Sequence, residues 1–377
     1  MKTIDSYTAA LPPRHRRSSV TFTSDRWRTT SEGVIIAFVA LLTSGLLFSL
    51  FLLLLGKNPM QFFALIWQGG FGSSFSLQNS LQRAAPLILT GLAFAIPAKI
   101  GMTMIGAEGA LVLGGFSSAA VAIPLVSTHQ PVVPTMMIMA LTGILTGALW
   151  TGFAGWLKYK RGVNETISTL LLTYIAIAIM NFFVEGLLRD PASKNKASTM
   201  PIGQDYMVGL MPGMDVHWGL VVGVVFAVAL HVLMTRTTFG FAVRISGGNV
   251  RAALAQGLPV GKLILTCSTI AGMCAGLAGY FEVAAIQGQA NASLAARYGF
   301  TGILVSFLAR HNALAVIPVA IMFGAISAAG GLIQRRMDMP DATALVLQGI
   351  IFVVLLASET VYGRFALFQP KHETARV

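Results

Sequence analysis

Long apolar stretches broken by short polar ones dominate the chain. A helix needs about 20 apolar residues to cross a bilayer. Eight runs reach or approach that length: Val34–Leu55, Met104–Val126, Thr135–Leu157, Ile167–Leu188, Val216–Met234, Leu263–Ile286, Ala313–Ile333 and Thr343–Val361. Two more are short: Ala84–Ala98, which ends beside Pro97, and Tyr298–Ala309. Runs of that length either span or re-enter. None shows the period-two alternation of a membrane barrel strand. The expected fold is therefore all-α, a polytopic membrane helix bundle of about ten transmembrane helices.

The polar stretches divide the chain. Residues 1–32 read as a basic, disordered tail, 33–365 as one transmembrane domain, and 366–377 as a second tail. The first apolar run is too long, and its leading tail too long, for a signal peptide. Segment 56–83 belongs outside, with Trp67 and Phe71 suited to an interfacial helix. The longest outer loop is 189–215, rich in Pro, Gly and polar residues; the longest inner loop is 236–262.

Charge sets the orientation. Only 11% of residues are charged, yet the net charge is +12. With ten spans the termini share one side, which carries eighteen of the 26 Lys and Arg against eight opposite. The positive-inside rule then puts both termini in the cytoplasm. This distribution also accounts for the basic balance without a nucleic-acid partner. The cluster Arg14-His-Arg-Arg17 suits solvent or membrane lipid headgroups.

Several familiar chemistries find no footing. Cys267 and Cys274 lie seven residues apart in one expected helix, about 10 Å along its axis, too far for a disulfide. His217 and His231 have no carboxylate or Cys at ligand spacing, so no metal site is expected. Gly257-Leu-Pro-Val-Gly261-Lys262-Leu263 misses phosphate-loop spacing by one residue, and Leu263 cannot ligate magnesium. No Ser/His or paired-Asp constellation suggests an enzyme, and no cofactor is called for. Small residues do recur at helical spacing: Gly143 with Gly147, Gly272 with Gly276 and Gly279, and Gly324, Gly330 and Gly331. In lipid these let backbones approach closely.

The inner loop holds a clearer signal in Ser246–Val260. Asn249 is a good N-cap. Val250, Ala253, Leu254 and Leu258 fall on one helical face. Gly257 suits the residue after the helix, and Pro259 stops it. The expected product is an amphipathic helix of about two turns, too short to stand alone. It either lies on the lipid surface or fits a groove on a cytoplasmic partner.

Three passages give the chain a family likeness. They are Pro86–Ala95 leading into Ile105-Gly-Ala-Glu-Gly109, then Asn164–Tyr174, and then Thr238–Asn249 running through Ala252, Ala253 and Gly257 into the glycine-rich Ala271–Gly279. In order and spacing they resemble the permease subunits of bacterial ABC importers of the ribose and nucleoside type, especially those served by Bmp-type lipoproteins. The likeness covers roughly residues 33–365. It implies a multi-pass inner-membrane permease with three partners: a cytoplasmic ABC ATPase, a second permease that is a paralogue, and an extracytoplasmic substrate-binding lipoprotein. Nucleosides are the implied substrate, with sugars as the alternative. It also implies ATPase coupling through Gly240, Arg244, Gly248, Asn249, Val250, Ala253, Leu254 and Gly257. Arg251 stands where the related Glu-Ala-Ala motif has its Glu.

Ionisable and polar groups beside the spans mark candidate pathway or helix-entrance positions. Glu108, between Gly106 and Gly109, sits near the start of a span and by the topology close to its cytoplasmic end. A helix N-terminus favours a carboxylate there. It could anchor a bent helix, form a gate or relay protons; as an anchor it should tolerate Glu108→Gln. Asn164 and Glu165 read as a cap after the basic Lys158–Arg161 stretch. Glu282, Gln287, Gln289 and Asn291 cluster at the outer exit of the seventh span, as substrate contacts, binding-protein contacts or ordinary loop polarity. An ion-coupled secondary transporter would need more charges near the midplane than the sequence offers.

Overall fold

The computed structural model describes residues 22–194, 196–340 and 342–359. Thirteen α-helices run in order: α1 (Phe22–Leu54), α2 (Pro59–Gly70), α3 (Ser74–Ala98), α4 (Ala107–Ser127), α5 (Val132–Arg161), α6 (Glu165–Glu185), α7 (Gly219–Arg236), α8 (Thr238–Gly248), α9 (Val250–Ala255), α10 (Val260–Phe281), α11 (Tyr298–Leu308), α12 (Val316–Met337) and α13 (Ala342–Glu359). Among the described residues only two isolated β-bridges interrupt this all-α pattern. Among the described residues, eight helices are long and apolar enough to cross a membrane. Leu54, Leu149 and Phe182 stand more than 70% exposed on them. A lipid-facing belt accounts for such exposure, which water would penalise.

The boundaries revise the sequence reading in three places. The run at Ala84–Ala98 is the second half of a full 25-residue helix, α3. Its first half carries Ser, Gln, Asn and Arg residues, so hydropathy alone misses it; the Ser73 hydroxyl accepts from the Ser76 N–H and caps it. α1 begins at Phe22, inside the expected disordered tail. Residues 1–21, with Arg14, Arg16 and Arg17, lie outside the described residues, as does the C-terminal tail 366–377. The inner loop is almost wholly helical, as α8 and α9.

Where α5 crosses α10, glycines set the distance. A Cβ on Gly272 would collide with the Gly147 carbonyl, and one on Gly276 with the Gly143 carbonyl. Gly279 meets the Leu111 carbonyl of α4 in the same way. The Thr151 hydroxyl donates to the Ser268 carbonyl at 2.7 Å, and the Ser118 hydroxyl to the Met139 carbonyl at 2.8 Å. Close backbones and inter-helix hydrogen bonds are how helices associate without a hydrophobic force between them. Cys267 and Cys274 are buried in this core.

Outside the spans, α2 packs on α12, and Trp67 stays exposed beside Phe71, their rings 5.4 Å apart. The outer loop folds back onto the segment after α10: Thr199 N donates to the Ala290 carbonyl at 2.9 Å.

Gly272→Ala should destabilise the protein by about 1–3 kcal/mol through overpacking. Gly331→Ala, in open space on α12, should be neutral or stabilising by up to about 1 kcal/mol. Thermal melting of the two variants in the same detergent measures the contrast.

Candidate functional site

Two helix N-termini meet inside the bundle, and Glu108 joins them. Residues 102–106 do not form a helix. They run along the start of α6: Thr166 Oγ1 donates to the Thr103 carbonyl at 2.8 Å, and Ile105 N donates to Thr169 Oγ1 at 3.0 Å. Gly106 and Gly109 then seat against Thr169 and Thr173 with no room for a Cβ. Thr173 is two turns, about 12 Å, into α6. α4 therefore starts well inside the bundle. The topology alone had put Glu108 near the cytoplasmic end; a non-helical approach moves it deeper.

α11 has eleven residues, about 16 Å, roughly half a bilayer core. Gly302 packs on Thr90, and Phe307 contacts Phe94 with ring centroids 5.3 Å apart, so α11 runs parallel to α3. The Tyr298 carbonyl accepts from Thr90 Oγ1 at 3.1 Å. Thr90 lies about 12 Å before the end of α3, so α11 also begins in the interior. The chain dips from the outer side through Ala292–Leu294 to reach that point.

The start of a helix exposes N–H groups that lipid cannot satisfy. Glu108 satisfies two of them. Its Oε1 accepts from Arg297 N at 2.7 Å and its Oε2 from Gly299 N at 2.6 Å. The carboxylate is 1% exposed. It lies in the first turn of α4 as well, so both helix dipoles favour its charge. Arg297 holds a left-handed φ of +67°, a strained backbone for a side-chain-bearing residue. A side chain at Gly299 would strike the Glu108 backbone.

Beside α11 opens a cavity of about 530 Å³. Its wall combines Phe94, Phe300, Phe307 and Phe352 with Thr103, Arg297, Thr301 and Gln348, and with Ile105 and Leu170. Two of the three passages that carry the family likeness, at Ile105 and Leu170, therefore reach the same space. Thr301 Oγ1 donates to Gln348 Oε1 at 3.3 Å across the gap between α11 and α13. Below the Phe94 and Phe307 rings sits His311, its Nδ1 2.9 Å from Ser306 Oγ. Burial, then the Lys99 and Arg310 charges, push its pKa down to about 4.

Other sequence candidates fall elsewhere. Asn164 caps α6 by accepting from Thr166 N and Ile167 N, and Glu165 pairs with Lys158 of α5 at 2.5 Å. Glu282 and Gln287 lie in a π-turn that continues α10, linked by a 3.3 Å hydrogen bond. Glu282 and Asn291 are buried. Asn291 caps Ala292–Leu294 through Ser293 N, and Gln289 is half-buried beside it.

In the inner loop, Asn249 caps α9 by accepting from Ala252 N at 3.0 Å, and Gly257 takes φ +75°. The single apolar face divides. Ala253 is buried, whereas Val250 is 49% and Leu254 58% exposed. On a helix wheel Ala253 lies about 60° to one side of Val250 and Leu254 about 40° to the other, and the bundle covers only the first flank. Gly240 packs on the end of α7 without room for a Cβ, and the Arg244 guanidinium donates to the Met234 carbonyl. A Cβ at Gly248 would meet nothing within 4 Å.

The sequence reading missed Arg297, Phe300, Thr301, Gln348 and Phe352. A lone amide within the apolar run of α13 was the available signal.

The model of the family described as "Branched-chain amino acid transport system / permease component" matches residues 76–356. The chain belongs to this family. Its relatives include the glucose ABC transporter permease protein TsgB13 of Haloferax volcanii, 33% identical over 88% of each chain. The guanosine ABC transporter permease protein NupP of Bacillus subtilis is 26% identical over 90% of this chain and 97% of its own. NupQ of the same organism, also named a guanosine permease, is 23% identical over 75% and 91%. The protein is thus a multi-pass ABC transporter permease and not itself an enzyme.

The anchoring geometry revises the expectation for Glu108→Gln. An amide has one acceptor oxygen, so its NH2 must face an N–H of α11. The variant should lose about 1–3 kcal/mol of stability and most of its transport. Glu108→Asp, which keeps both acceptors, should retain more of each. Uptake normalised to melting temperature checks the order.

Proposed function

We propose that the chain is one of two paralogous permeases in a nucleoside importer. Residues 33–365 form its transmembrane unit, with the tails 1–32 and 366–377 in the cytoplasm. The cavity beside α11 is part of the pathway. A separate cytoplasmic ABC ATPase grips α9, and an extracytoplasmic lipoprotein delivers substrate. Gly248, Asn249, Val250, Ala253, Leu254 and Gly257 form or frame the gripped knob, while Gly240 and Arg244 brace it against α7. Glu108, Gly106, Gly109, Asn164 and Glu165 are entrance anchors in this reading. Glu282, Gln287 and Asn291 shape the outer turn above α11.

The observation that carries this reading is the exposed pair Val250 and Leu254 on a capped helix between α7 and α10. The excess of Lys and Arg on this side supports a cytoplasmic position. Such a six-residue helix is held by its caps and its packing. An apolar pair at its tip is suited to a partner's groove. The NupP and NupQ likenesses support nucleosides and a paralogous second permease. TsgB13 favours the second reading, a sugar importer.

Val250→Asp with Leu254→Asp should abolish ATP-driven uptake, by at least about tenfold, as a lost apolar contact of a few kcal/mol implies. The protein should still reach the membrane, because both side chains point away from the bundle. Uptake in proteoliposomes together with co-purification of the ATPase measures this. Full uptake by the double variant would contradict the coupling role.

A further inference from the structure

Resting on the reading of this chain as a nucleoside permease, we propose that Gln348 is its base-reading residue. The carboxamide, held between Thr301 and Ser327 on the cavity wall, takes the donor–acceptor edge of a planar heterocycle.

A carboxamide offers two N–H donors and two acceptor lone pairs. Oε1 of Gln348 accepts from Thr301 Oγ1 at 3.3 Å, and Nε2 donates to Ser327 Oγ at 3.4 Å. One donor and one acceptor are left over. The residue is 3% exposed, in a helix otherwise almost wholly apolar. A buried amide with half of its capacity unused is costly unless something completes it. Gly349, next in sequence, has nothing within 4 Å of where its Cβ would be. Gln348 and Gly349 both line the cavity.

The surroundings select the shape of what enters. Phe307 lies 5.9 Å from Phe352 and 5.3 Å from Phe94, centroid to centroid, and Phe300 lines the same cavity. These rings pack on one another and give the cavity an aromatic lining, on which a flat ring can stack. Glutamine side chains pair with base edges through two parallel hydrogen bonds, one given and one received. A hexose can lay its C–H face on an aromatic ring, but its rotatable hydroxyls do not present that fixed edge.

The test uses the complete importer in proteoliposomes, with the same binding protein and ATPase in every arm. Inosine is compared with purine riboside, which has the same sugar and ring but lacks the six-position oxygen. The wild type should favour inosine by about tenfold in kcat/KM. Gln348→Leu should bring the ratio to about one through a loss in inosine alone. Gln348→Glu still offers acceptors to both hydroxyls, so it guards against a Leu variant that does not assemble. It lacks a donor for the six-position oxygen and should lose the preference as well. A ratio measured within one preparation does not depend on how much protein folds. An unchanged ratio in either transporting variant overturns the role of Gln348. A wild type that carries glucose and no nucleoside overturns the substrate reading beneath it.

Discussion

One buried carboxylate fixes the middle of this protein. Glu108 gives its two oxygens to the first free amides of α11, and so ties the start of that half-helix to the start of α4. Without it, two N–H groups would be left bare in a medium that offers no water. The arrangement also explains its neighbours: Gly106 and Gly109 let α4 begin against α6, and Gly299 lets α11 begin against Glu108. Since α11 supplies Phe300, Thr301 and Phe307 to the cavity, the same contact sets the shape of that wall.

Around this joint the bundle is drawn tight by backbone contact. The glycines of α5 and α10 bring carbonyls to within the reach of a missing methyl, and hydroxyls of Thr151 and Ser118 bond across the seams. The half-helix α11 is short, packs on α3 and is tied at its start by hydrogen bonds with Glu108 and Thr90. α9 joins the scaffold through α8 and α10, which directly adjoin it in the chain.

Much of the fold was legible in the sequence. Continuous apolar runs gave most spans, and the GxxxG pairs marked the α5–α10 crossing. Asn249 and Gly257 bounded a short helix with the expected capping. What was not legible depended on neighbours. The polar first half of α3 is helical because Ser73 caps it and α12 covers it. The depth of Glu108 follows from an extended segment pairing with Thr166 and Thr169, contacts that hydropathy does not encode. The division of α9 into a covered Ala253 and an uncovered Val250 and Leu254 depends on which flank meets the bundle. The cavity assembles Thr103, Leu170, Arg297 and Gln348 from four separate elements, and only tertiary structure brings them together.

The central claim is that Glu108 holds the N-terminus of α11, and amide hydrogen exchange tests it most directly. In the wild type, the amides of Arg297 and Gly299 should be strongly protected although both precede the first full turn of helical hydrogen bonds. In Glu108→Gln, protection at one or both of these amides should fall by at least about tenfold, a single lost hydrogen bond of about 1.4 kcal/mol, while α5 and α10 keep theirs. Equal protection at Arg297 and Gly299 in both proteins would contradict the account.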